Sequence, residues 1–141
     1  MTRDRDLEKM IADVDLFVGL SRAQIRQLAG AAREVSHPPG KAVAAEGHGG
    51  LAFHLVLEGQ ATVSRDGREL RTLGPGDYFG EISMIDGRPR SATVVAGDGL
   101  TVLAVPHQEF EKLLERDVDF ARAILKSLCA RLRDAEARTT A

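Results

Sequence analysis

The sequence predicts a mainly β protein with flanking helices, a small barrel or sandwich in jelly-roll style. Three observations carry that prediction. Apolar residues recur at helical spacing near both ends of the chain but with period two between them. Glycine-rich turns cut the middle into many short runs. The length, 141 residues, suits one domain with a single core. We therefore expect N-terminal helices over 1–33, a β-barrel over 34–105 and two C-terminal helices over 106–141.

The elements follow in order. Residues 7–11 read as a short helix that continues toward "DVDLFVGL". Ser21 stands as an N-cap before "RAQIRQLAGAA", where Ile25, Leu28 and Ala32 share one face. Pro38, Pro39 and Gly40 break the helical pattern. "LAFHLVL" then alternates Leu51, Phe53, Leu55 and Leu57 against Ala52, His54 and Val56, a strand with one firmly buried face. Gly59 ends it. "QATVSR" and "RELRTL" flank Asp66-Gly67, a type I′ hairpin signal. "GPGDYF" makes a Pro-Gly turn into a short strand, and "SATVVA" and "LTVLAV" are two more β-runs. Pro106 opens a helix whose apolar face is Phe110, Leu113 and Leu114. Asp117 caps the last helix, along which Phe120, Ile124, Leu128 and Leu132 recur every four residues. Cys129 falls on its apolar side and is expected in the core.

Composition excludes several classes. The net charge of −2 offers no global attraction to nucleic acid, and the basic residues from Arg131 to Arg138 are interleaved with acids. No run has the apolar length of a membrane span, and the charged N-terminus is no signal peptide. A lone cysteine suits a reducing cytoplasm. His37, His48, His54 and His107 are scattered, so we expect no metal site. No serine sits in a nucleophile elbow, so we expect no catalytic residue and no enzyme.

The informative stretch is "YFGEISMIDGRPRSATVV", residues 78–95. A short apolar turn follows a strand directly, with Gly80 at the junction. A helix start presents amides without internal partners and a positive dipole end, so it attracts an anion. Gly80 lets that anion approach the backbone. Arg90, beyond the Asp86-Gly87 turn and restrained by Pro89, can direct a guanidinium fork at the same point. Glu81 makes no sense beside a phosphate unless the ligand also donates a hydroxyl, as a ribose 2′-OH does. Anion, sugar hydroxyl and an apolar wall for a flat base together describe a nucleotide.

These residues resemble the phosphate-binding cassette of cyclic nucleotide-binding domains. The cassette, residues 79–93, matches that pattern at nearly every position. Glu46-Gly47, Gly59 and "GDYFGE" match it elsewhere. The "HGG" at 48–50 departs from it in a surface turn. The resemblance implies a jelly-roll barrel of that family. It implies that Arg90 pairs with the cyclic phosphate and Glu81 accepts from the 2′-OH. It puts backbone amides of Gly80, Ile82 and Ser83 around the sugar-phosphate, and Ser91 beside the phosphate near the base. Serine at 91 lies between the threonine that goes with cGMP and the alanine that goes with cAMP, and we expect cAMP over cGMP. In the family the last helix is a lid, where Arg131, Leu132 or Arg133 falls at the capping position.

The expected function is thus a cyclic nucleotide sensor that signals by moving its C-terminal helices to an effector protein or domain. Its last helix leaves a homodimer open. Two alternatives stand: a protein-interaction domain with a degenerate cassette, and the sensor part of a longer transcription regulator or channel.

Overall fold

The computed structural model describes residues 6–44, 51–89 and 92–140. The expectations attached to Glu46-Gly47, "HGG", Arg90 and Ser91 lie outside the described residues. The chain divides into two compact units, Ala31–Glu111 and Met1–Gly30 with Lys112–Ala141.

Among its described residues the first unit holds eight strands: β1 (Arg33–Ser36), β2 (Ala42–Ala44), β3 (Ala52–Glu58), β4 (Ala61–Arg65), β5 (Arg68–Leu73), β6 (Tyr78–Phe79), β7 (Thr93–Ala96) and β8 (Thr101–Pro106). They form two antiparallel four-stranded sheets, ordered β1-β8-β3-β6 and β2-β7-β4-β5. The pairings β4/β5, β3/β6, β2/β7 and β1/β8 nest inside one another. The unit is therefore one long hairpin, rolled so that β3 meets β8 and β4 meets β7. That is the jelly roll the sequence predicts.

Its local causes are legible residue by residue. The hairpin tip has positive φ at both central positions, Asp66 at 53° and Gly67 at 77°, as a type I′ turn requires. At Gly74–Asp77 the Asp77 N–H donates to the Gly74 carbonyl at 2.9 Å. Pro75 precedes Gly76, whose φ is 91°, giving a type II turn. Between the sheets lies an apolar core that includes Val56, Val63, Leu73, Phe79, Val94 and Val102.

Two expectations need correcting. The N-terminal helical segment is expected to reach residue 33, but β1 begins there. Its four residues hold one apolar side chain, Val35, and are mostly exposed, so this edge strand has no buried alternation to betray it. The alternation at 51–57 predicts one buried face, yet Phe53 to Leu57 are all buried. β3 lies inside its sheet between β8 and β6, with Val56 in the inter-sheet core and helix α3 (Glu81–Asp86) packed against it.

The second unit contains α1 (Leu7–Ala12), a 3₁₀ turn (Asp15–Phe17), α2 (Arg22–Ala31) and α5 (Val118–Thr140). Ser21 caps α2 as expected, through a capping box with Gln24. Ser21 Oγ accepts from the Gln24 N–H at 3.2 Å, and Gln24 Oε1 accepts from the Ser21 N–H at 2.8 Å. The same Gln24 donates its amide to Asp117 Oδ2 at 3.2 Å, while Asp117 Oδ1 accepts from the Phe120 N–H at 3.0 Å. One glutamine thus joins the caps of two helices. Helix α4 (His107–Arg116) starts in the barrel unit and ends in the helical one. No helix among the described residues is long and apolar enough to cross a membrane.

Along α5, Phe120 and Ile124 are buried as expected, but Leu132 is 61% exposed and Cys129 is exposed. The core placement of Cys129 is therefore corrected. The helix outruns the elements it packs on, so its stripe is buried only at the start.

The cap at Asp117 has a pH signature. Its carboxyl is held below the ordinary aspartate range, first by the Phe120 N–H and then by the Gln24 amide. A depressed folded value means the stabilisation is complete above the unfolded pKa and disappears as pH falls through the folded one. In thermal unfolding, Asp117→Asn should be less stable than the parent at neutral pH. The gap should close as pH drops below the aspartate range; a pH-independent gap would show that the charge on Asp117 is not what holds the cap.

Candidate functional site

Gly80 is the N-cap of α3 and sits at φ 84°, ψ 9°, a left-handed conformation that favours glycine. Helical hydrogen bonding begins with the Met84 N–H on the Gly80 carbonyl at 3.0 Å, so the amides of residues 81–83 precede it. At the other end Gly87 (φ 71°) returns its N–H to the Ser83 carbonyl at 2.9 Å, and Asp86 Oδ1 accepts from the Arg88 N–H at 2.9 Å. The short helix is thus closed off at both ends by glycines in a left-handed conformation.

The helix is also held from outside. His107 Nδ1 lies 2.6 Å from the Met84 carbonyl oxygen, so Nδ1 carries the proton and donates. A Cβ on Gly87 would stand 3.0 Å from His107 Nε2. The first residue of α4 therefore bonds the cassette helix directly, a contact that sequence reasoning missed because a histidine after a proline at a helix start signals nothing by itself.

Gly80, Glu81, Ile82 and Ser83 all line one cavity of about 530 Å³, within the range of small-ligand pockets. Ser83 is buried, whereas Ile82 is 55% exposed. Arg88, Pro89, Ala92 and Val94 line the same cavity, so the residues on both sides of 90–91 border it. Phe79 forms part of the wall and stacks on His54, with centroids 4.7 Å apart.

Four further lining residues were not foreseen: Val63, Arg65, Leu70 and Arg71, all from the β4–β5 hairpin. Val63 pairs with Arg71 and Ser64 with Glu69, which leaves Leu70 as an extra residue in a bulge. Strict alternation would send Leu70 and Arg71 to opposite faces; the bulge re-aims them so that both border the cavity.

Arg131 and Leu132 belong to the helical unit. Arg131 Nη2 donates to Asp15 Oδ1 at 3.0 Å, and Arg131 borders a second groove of about 700 Å³ between the 3₁₀ region and α5. That groove is larger, but charged side chains of both signs line it, including Asp15, Asp119, Arg122 and Lys126. Among the described residues no three His, Cys, Asp or Glu side chains cluster as metal ligands would.

Comparison with known proteins agrees with the fold. Residues 34–117 match the family model described as "Cyclic nucleotide-binding domain". The chain is 32% identical over 122 residues to a cAMP-dependent protein kinase regulatory subunit of Aspergillus niger, covering 85% of this chain and 30% of that one. The chain thus spans under a third of that relative's length. The N-terminal domain of a transcriptional regulator from Streptomyces coelicolor A3(2) superposes with a TM-score of 0.83 at 30% identity, covering 94% of this chain and 96% of that one. The Thermus thermophilus catabolite activator protein gives 0.69 at 31% identity, over 89% of this chain and 61% of that one. With its jelly roll, its glycine-capped cassette helix and a family match over more than half its length, the chain belongs to the cyclic nucleotide-binding domain family.

Proposed function

We propose that the chain binds a 3′,5′-cyclic purine nucleotide and serves as a regulatory sensor, not as an enzyme. One observation carries the reading: the start of α3, with Gly80, Glu81, Ile82 and Ser83, opens into the cavity that the flanks of Arg90 and Ser91 also border. In this reading the amides at the start of α3 and the Arg90 guanidinium take the cyclic phosphate. Glu81 accepts from the ribose 2′-OH. Ser91 carries the expectation of cAMP over cGMP.

Signalling then runs through α4. Its first residue holds the cassette helix through Met84, and its later residues belong to the unit that contains α5. A ligand that draws α3 inward biases α4 and, through it, the lid residues Arg131 and Leu132, as a population shift. An effector protein or domain reads that shift. The exposed Leu125 and Leu132, seven residues apart on α5, support a homodimer. The single cysteine suits a reducing cytoplasm.

Calorimetric titration of the full chain with cAMP and cGMP tests the reading directly; absence of binding to both would end it. The role of Glu81 has its own test. A hydrogen bond to a charged group contributes about 1.5–3 kcal/mol. The parent should therefore bind a 2′-deoxy ligand at least about tenfold more weakly than the ribo form. Glu81→Ala should lose most of that discrimination. An equal deoxy penalty in both proteins would remove Glu81 from the sugar.

A further inference from the structure

The groove beside α5 has a chemistry of its own. Its α5 lining runs from Asp119 to Asp134, about 22 Å at the helical rise per residue. Gly19, Ala123, Ser127 and Ala130 line it with small side chains. A Cβ on Gly19 would stand 3.7 Å from the Ala123 Cβ, so the two segments approach closely there. Val18, 66% exposed, adds apolar surface.

Most of the charges in this groove have an account within the chain. Asp15 and Arg131 pair with one another at 3.0 Å. Asp119 lies in the first turn of α5, where a carboxylate suits the positive helix end. Arg122 and Lys126 have no such account. Both are exposed, and they stand four residues apart on one helix, a like-charge spacing that costs the helix a little. Among the described residues neither forms an ion pair. At the same spacing in α1, by contrast, Lys9 meets Asp13 at 3.1 Å. Asp134, the remaining acid, lies about two turns beyond Lys126.

We propose that this groove docks a helix of an effector protein, one whose docking face carries two carboxylates a turn apart among small apolar residues. The inference deepens the effector part of the reading above and needs nothing from the cassette. Such a helix fits the groove lengthwise. The small lining residues admit its backbone, and an apolar side chain covers Val18. Carboxylates at i and i+4 match the i,i+4 spacing of Arg122 and Lys126. Neutralising the two cations removes their mutual repulsion, so a feature that disfavours α5 alone favours the complex. A basic helix would add to the repulsion, which gives the groove its selectivity.

The test is fluorescence anisotropy on the full chain with two labelled synthetic helical peptides, both built on alanine and leucine. One carries glutamates a turn apart at its centre, the other lysines at the same places. The parent should bind the acidic peptide at least about tenfold more tightly than the basic one, and less tightly as salt is raised. Arg122→Glu with Lys126→Glu should reverse that preference. Ala130→Trp, which fills the groove without changing its charge, should abolish binding of the acidic peptide. All three positions are exposed, so the variants keep the fold. Failure to bind the acidic peptide overturns the proposal. So does equal affinity for the two peptides, or binding that the charge reversal or Ala130→Trp leaves unchanged. Sedimentation of the chain alone tests a different occupant: a parent dimer that Ala130→Trp dissociates would put a second copy in the groove and overturn the effector helix. In each of these cases the nucleotide reading stands or falls separately, on the titration with cAMP and cGMP.

Discussion

Gly59→Ala is expected to unfold the barrel unit or leave it barely stable. Gly59 has φ 81°, where an alanine is strained by about 1–2 kcal/mol. Steric overlap costs more than this strain. A Cβ there would lie 2.4 Å from both the C and O atoms of Gly99 and 2.6 Å from the Asp98 carbonyl oxygen. These are backbone atoms and cannot rotate away. The β3–β4 and β7–β8 connections would have to separate, breaking the bond from the Gly97 N–H to the Gln60 carbonyl at 2.8 Å. A loss on the order of 4 kcal/mol or more follows, set against a typical domain stability of about 5–15 kcal/mol. Gly67→Ala is the control: its φ is also positive, 77°, but nothing lies within 4 Å of a Cβ there. Urea unfolding should show a loss of about 1–2 kcal/mol for Gly67→Ala and several times that for Gly59→Ala. Equal losses would mean that the two connections part easily.

Arg90→Leu is expected to weaken cyclic nucleotide binding about ten- to hundredfold, by removing a charge-assisted bidentate pair of about 1.5–3 kcal/mol. Lysine at 90 should recover only part of this, since a point charge does not reproduce the fork. Arg88 provides the comparison, because it also borders the cavity. Calorimetry on Arg88→Leu should show the smaller loss. If Arg88→Leu proves the more damaging, the phosphate is held by Arg88 and the cassette register that puts Arg90 there is wrong.

The features legible in the sequence are those with local causes. Asp66-Gly67, Pro75-Gly76, Gly80 and Gly87 each mark a backbone conformation that only a few residues adopt readily, and each sits where that conformation occurs. The Asp117 cap was legible because a cap is satisfied within three residues. Features that arise between strands or at the far end of a helix were not. The Leu70 bulge is a matter of register, invisible in either strand alone, and with it went Arg65 and Arg71 as cavity residues. β1 carries too few apolar side chains to show a period. Cys129 and Leu132 lie on a stripe of the right spacing, but spacing does not say where the packing partner ends.

The nested strand pairings also set an order of assembly. His54 meets Phe79 at 25 positions' separation and Arg33 meets Ala104 at 71, counting 79 − 54 and 104 − 33. Each inner pairing shortens the effective loop that the next must close, so zipping outward from residues 66–67 avoids most of the closure entropy. Substitutions at the hairpin tip should therefore slow refolding, whereas Val35→Ala on the outermost strand should chiefly hasten unfolding. Stopped-flow kinetics showing the reverse would place the nucleus at the edges of the roll.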